Sequence, residues 1–140
     1  MRSTVRWSEE QGYEARTETG HAIVMDVSPE LGGKDRGPRP MEVLLAGAGG
    51  CTCVDVVLVL KKGRYDVRDC RVEIQAERAQ KDPKVFTKIH FHYVVTGKEL
   101  PPDRVERAIK LSEEKYCSAS AMLGKTAQIT SDYEVAQLER

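Results

Sequence analysis

Pro40-Met41-Glu42-Val43-Leu44-Leu45-Ala46-Gly47-Ala48-Gly49-Gly50-Cys51-Thr52-Cys53-Val54-Asp55-Val56-Val57-Leu58-Val59-Leu60 is apolar on almost every face. Pro40 suits the first turn of a helix, where its missing N–H is no loss. Lys61-Lys62 fit a last turn and Gly63 a stop, so the spacing predicts a helix from Pro40 to Leu60. A helix apolar all round belongs inside a fold. Gly47, Gly49 and Gly50 each cost up to about 1 kcal/mol of helix propensity relative to Ala, which a helix tolerates where another element crosses it closely. The run from Val43 to Leu60 is interrupted by glycine and Asp55 and is too short and broken to be read as a membrane span.

Outward from this helix, the rest reads as strands and amphipathic helices. Thr4–Trp7, Tyr13–Glu18 and His21–Val27 form a meander, with Ile23, Met25 and Val27 on one face. Ser28 to Arg39 is a loop rich in glycine, proline and charge, of a length often given to function. In Val67–Glu77 the even positions Cys70, Val72, Ile74 and Ala76 are apolar; in Val85–Val95 the odd ones are. Lys81-Asp82-Pro83-Lys84 joins these two strands as a hairpin. Pro101-Pro102-Asp103 opens a second helix with Val105, Ala108, Ile109 and Tyr116 near one stripe. A short helix over Ser118–Leu123 and a strand over Gln128–Val135 complete the chain. This order predicts an α+β domain, one domain over residues 1–140, with antiparallel sheet and helices on one side. One domain of this size does not readily cover a helix apolar on all faces, which predicts an intertwined dimer.

Lys plus Arg and Asp plus Glu are 22 each, so the net charge is zero and nothing steers the chain to nucleic acid or an anionic membrane. Met1–Trp7 lacks the apolar core of a secretory signal, and the expected location is the cytoplasm. Thiols stay reduced there, so the four cysteines are not a disulfide scaffold. Each is either buried packing or a reactive group.

Free cysteine often packs as a small hydrophobe, and Cys51 has that reading open. Against it stand the two glycines that leave its flank open, and a preceding loop that offers Arg36 and Arg39. Asp55 lies one turn on along the same face, and an anion there opposes thiolate formation. Cys53 is about 200° around the helix from Cys51, so the two thiols cannot serve one site. Cys53 and Cys70 read as packing. Cys117 joins two helices, where the N-terminus of the second favours a thiolate and a capping role is equally open. His90 and His92 form a His-x-His pair that could hold a metal if a third ligand converged, but they alternate with an apolar face and read as solvated.

The segment Pro38-Arg39-Pro40-Met41 through Gly49-Gly50-Cys51 resembles the central-helix signature of the OsmC/Ohr superfamily, and Glu114-Lys115-Tyr116-Cys117-Ser118 resembles its second-cysteine motif. The order of elements is similar over nearly the whole chain, and Gly-Gly-Cys is similar to the small OsmC-like branch. The resemblance implies intertwined homodimers with sheets wrapped around long central helices and active sites at the subunit interface. It implies reduction of organic hydroperoxides in oxidative stress defence, with no metal or cofactor: Cys51 as peroxidatic thiolate, Cys117 as resolving thiol, and a dithiol such as a lipoyl group as reductant. In the peroxidases a glutamate ten residues before the cysteine holds an arginine over the thiolate. Met41 occupies that position here and Glu42 is one residue late, with Arg36 and Arg39 as the arginines on offer. This departure keeps a rival open, in which the protein is no enzyme but binds a small hydrophobic ligand at the dimer interface or senses redox state.

Overall fold

The computed structural model describes residues 1–139. The chain divides into two compact units, Met1–Ala46 and Gly47–Arg140.

In the first unit β1 (Ser3–Ser8), β2 (Gly12–Thr17) and β3 (Ala22–Met25) form an antiparallel sheet in that order. Val5 pairs with Ala15 and Ala15 with Ile23. β3 ends earlier than its apolar alternation suggests, because Asp26 takes over the chain: its backbone N–H donates to the Pro38 carbonyl at 3.1 Å. The Asp26 carboxylate is buried and accepts from the backbone amides of Val27, Lys34 and Arg36 at 2.9, 3.0 and 3.3 Å. The Lys34 amide in particular holds this carboxyl below its ordinary value, against the opposing effect of burial. The long loop is thus ordered around one acid.

Helix α1 runs over Pro40–Lys62. Glu42 Oε1 accepts from the backbone N–H of Arg39 at 2.8 Å, the reciprocal half of a capping box. The helix ends in a Schellman-type turn, in which the Tyr65 N–H reaches the Leu60 carbonyl at 3.0 Å. Arg64, not Gly63, takes the left-handed conformation, at φ 63°. A Cβ at Gly63 would instead strike the Tyr65 ring, which accounts for the glycine there. By length and hydropathy α1 would suffice to cross a membrane. Length therefore does not argue against a span as the sequence reading supposed. One face of α1 is buried through Ala48, Thr52, Val56 and Leu60, and the other leaves Leu44, Val54 and Leu58 exposed.

In the second unit β4 (Asp66–Arg78), β5 (Phe86–Lys98) and β6 (Gln128–Gln137) form a sheet in sequence order. β4 and β5 are antiparallel, but β6 runs parallel to β5. The crossover through α2 (Pro102–Leu111) and α3 (Ser118–Leu123) brings the chain back to the same end of the sheet, as parallel pairing requires. The sheet is mixed rather than purely antiparallel, and the α+β architecture stands. Ile89, Phe91, Tyr93 and Val95 are buried as their alternation predicts, as are Val105, Ala108 and Ile109 of α2. Tyr116 is not. After Leu111 the helix widens into a π-turn over Ser112–Tyr116, which rotates Tyr116 off the buried stripe and leaves it 48% exposed.

A Cβ on Gly97 of β5 would strike the Asp66 carbonyl, which is backbone and cannot rotate away. Gly97→Ala should lower the unfolding free energy by about 1–3 kcal/mol in urea titration, the ordinary cost of overpacking. On the outer face, His92 Nδ1 donates to Asp132 Oδ1 at 2.6 Å and His90 Nε2 to the same oxygen at 3.0 Å. The Asp132 contact raises the His92 pKa, and His92 then His90 lower that of Asp132. The pair therefore stabilises the fold below the unfolded histidine value of about 6.5 and loses that contribution as pH rises through the raised His92 value. At the acid end it is lost as pH falls through the lowered Asp132 value. An NMR titration should place the His92 midpoint above about 6.5, and Asp132→Asn should bring it down.

Candidate functional site

Three side chains of the second unit converge: the Cys51 and Cys117 sulfurs and a carboxylate oxygen of Asp55 all lie within 4.8 Å of one another. Cys51 and Asp55 are one turn apart on α1, so they share a face. Cys117 arrives at the end of the π-turn, whose closing bond runs from its N–H to the Ser112 carbonyl at 2.7 Å. Cys117 is buried, whereas Cys51 and Asp55 are half-buried, so access is from the Cys51 side. Of the glycines beside Cys51, Gly49 faces the Ile74 side chain of β4, as a close crossing predicts. Gly47 and Gly50 face open space.

A chain of hydroxyls holds this group in register. Thr52 Oγ1, fully buried next to Cys51, lies 2.8 Å from the Tyr93 hydroxyl of β5 and 2.7 Å from Ser112 Oγ. Ser112 Oγ donates to Asp55 Oδ2 at 2.9 Å, and Tyr93 donates to Glu113 Oε1 at 3.2 Å. Each of the Thr52, Tyr93 and Ser112 hydroxyls thus has a partner, and losing one would leave its neighbour unsatisfied at a cost of about 1–3 kcal/mol. Burial pushes the Tyr93 phenol well above its ordinary value, which keeps it a neutral donor.

Cys117 caps α3: its sulfur accepts from the Ser120 N–H at 3.3 Å. The helix terminus should have favoured a thiolate. Instead burial pushes the Cys117 thiol up, and the Cys51 sulfur adds to that; the Ser120 hydroxyl and amide pull it down without prevailing. Cys117 is therefore a protonated thiol at neutral pH, poised beside Cys51.

Arg39 donates to Asp35 at 2.9 Å and to the Gly37 carbonyl at 3.4 Å, and Arg36 donates to the Glu9 carbonyl. With Glu42 capping Arg39, these three have assigned partners within residues 1–46 and hold the loop and the start of α1. Cys53 points away from Cys51 as its rotation requires, donating to the Cys70 carbonyl at 3.5 Å. Burial, then Cys53, pushes the Cys70 thiol up to about 12, consistent with packing. Thr52, Ser112 and Ser120 do not stand out in the sequence as site residues, and Tyr93 stands out there only as part of an apolar strand face. A signal existed for two of them: Thr52 is a hydroxyl in an otherwise apolar run, and Ser112 continues the buried 105, 108, 109 stripe.

The family model described as OsmC-like protein matches residues 32–132. Protein YhfA of Escherichia coli strain K12 is 44% identical over 135 residues, which span 96% of this chain and 98% of that one. A hypothetical protein from Aquifex aeolicus VF5 superposes with a TM-score of 0.85 at 33% identity, covering 99% of this chain and 97% of that one. The organic hydroperoxide resistance protein OhrB of Bacillus subtilis shares the fold, with a TM-score of 0.62 at 18% identity over 95% of this chain and 96% of its own. With a family model over most of its length and a relative of 44% identity, the chain belongs to the OsmC-like family.

Proposed function

We propose that this protein is a cytoplasmic dithiol peroxidase that reduces small hydrophobic organic hydroperoxides in oxidative stress defence. The observation that carries the reading is the approach of the Cys51 and Cys117 sulfurs within 4.8 Å, one half-exposed and the other buried. Cys51 attacks the terminal peroxide oxygen as a thiolate, the O–O bond breaks, and the alcohol leaves. Cys51 is then a sulfenic acid. Cys117 attacks its sulfur, a disulfide forms and water leaves. The sulfurs need to close by less than about 3 Å to reach bonding distance. A dithiol, such as a lipoyl group, reduces the disulfide by exchange. The neutral charge balance supports a small-molecule substrate rather than nucleic acid or a membrane surface.

One feature favours a second reading, in which the pair responds slowly to oxidants as a sensor or the cleft binds an apolar ligand. The charged group set among the sulfurs is the Asp55 carboxylate, which offers no positive charge to a thiolate. Rate separates the two. One equivalent of cumene hydroperoxide added to the reduced protein should consume two of the four thiols within seconds. Cys51→Ser should consume none quickly, and Cys117→Ser should accumulate a sulfenic acid on Cys51 that dimedone traps. Thiols that survive for minutes at neutral pH would contradict the peroxidase.

The family likeness and the exposed face of α1 support a homodimer. Leu44, Cys51, Val54 and Leu58 follow one another at two turns, then one turn each, and so form one stripe, on which Val54 and Leu58 are 56% and 59% exposed. Met122 of α3 adds to the exposed apolar surface. A second copy of this chain covers that stripe and closes the open side of Cys51, leaving an apolar cleft for substrate. Light scattering should give twice the chain mass, and Leu58→Glu should yield monomers. A native protein that is monomeric at micromolar concentration would remove the interface cleft.

A further inference from the structure

We propose that Cys51, Asp55 and Cys117 form a zinc-binding site whose occupancy holds the dithiol in its reduced, unreactive form. This rests on the reading of the two cysteines as a reactive pair and adds a regulatory ligand to it.

The donor set is two sulfurs and one carboxylate oxygen, all within 4.8 Å of one another. Around a tetrahedral zinc, with bonds of about 2.3 Å to sulfur and 2.0–2.2 Å to oxygen, such donors sit roughly 3.5–3.8 Å apart. Separations capped at 4.8 Å admit the bound geometry with at most a small contraction. Two of the three donors are already oriented by partners that a metal would leave in place. Ser112 Oγ holds Asp55 Oδ2 at 2.9 Å, and Ser120 N–H holds the Cys117 sulfur at 3.3 Å. Outer hydrogen bonds of this kind fix ligands for a metal. The charge argues the same way. Once both thiols ionise, the three groups carry three negative charges in a half-buried setting, and a divalent cation compensates most of that. Thiolate sulfur with a carboxylate suits zinc rather than magnesium or calcium, which prefer all-oxygen sets. Three protein ligands leave a fourth position, on the half-exposed side of Cys51, for water.

Binding releases two protons to solvent and ties up the sulfur lone pairs with which Cys51 would attack a peroxide. Oxidation reverses it: the hydroperoxide takes two electrons from the two thiolates and two protons from solvent. The products are a disulfide, an alcohol, water and free zinc. Disulfide and metal are mutually exclusive, so zinc availability sets how much of the protein can react.

The test is calorimetric titration of Zn2+ into the full-length, reduced, chelator-stripped protein, with circular dichroism to confirm folding of each variant. One zinc per chain is expected. Cys51→Ser and Cys117→Ser should each weaken binding by at least about 100-fold, and Asp55→Asn and Ser112→Ala by about 10–100-fold. Cys53→Ser and His92→Ala, which lie outside the group, should leave it unchanged. One equivalent of cumene hydroperoxide should then expel the bound metal, read with a chromophoric zinc indicator, and excess zinc should slow thiol loss. No binding, binding that survives both Cys51→Ser and Cys117→Ser, or binding abolished by His92→Ala would overturn the proposal. The two readings fail separately. Metal-free protein that oxidises quickly but takes up no zinc sinks the metal site and leaves the peroxidase; zinc binding by thiols inert to peroxide does the opposite.

Discussion

The site depends on one buried hydroxyl. Thr52 Oγ1 bridges the Tyr93 hydroxyl of β5 and the Ser112 hydroxyl at the start of the π-turn. That bridge fixes α1 against the sheet at a point one residue from Cys51. It also fixes the segment that delivers Cys117, since the Cys117 N–H closes on the Ser112 carbonyl. Ser112 Oγ in turn donates a hydrogen bond to Asp55 Oδ2, so the carboxylate one turn from Cys51 is held by the same network. An apolar residue at 52 would leave two buried hydroxyls each a partner short, and buried polar networks cost most when half satisfied.

The π-turn is what lets this network exist. Regular helix through residue 116 would carry Tyr116 onto the buried stripe after Val105, Ala108 and Ile109. The wider turn absorbs a residue, exposes Tyr116, and lets Cys117 end the helix and cap the next one in a single position. Such bulges are frequent at functional sites because they re-aim a side chain without breaking the element. Here the re-aimed group is a thiol, and its burial pushes its pKa up.

Much of this was legible in the residues. The boundaries of α1, of α3 and of the long strands follow closely from caps, glycines and alternation, and the rotation between Cys51 and Cys53 separates the thiol that meets Cys117 from the one that meets the Cys70 carbonyl. The resemblance of the two cysteine motifs carried the pairing of Cys51 with Cys117. What was hidden depends on contacts distant in sequence. The parallel setting of β6 follows from a crossover whose direction no local pattern encodes, and that setting brings Asp132 onto His90 and His92, which looked merely solvated. The Thr52 cluster joins residues 41 and 60 positions apart. Arg36, Arg39 and Glu42 were candidates because of charge and position; the contacts they make, Arg36 with the Glu9 carbonyl, Arg39 with Asp35 and Glu42 with the Arg39 amide, could not be read from spacing alone.

The relation between the two thiols is the point on which the functional account turns, and peptide mapping of the oxidised protein reads it directly. After one equivalent of hydroperoxide and alkylation of the remaining thiols, digestion under non-reducing conditions should yield a single linked pair, Cys51 with Cys117, and alkylated Cys53 and Cys70. A linkage between any other two cysteines, or four alkylated thiols, would contradict it.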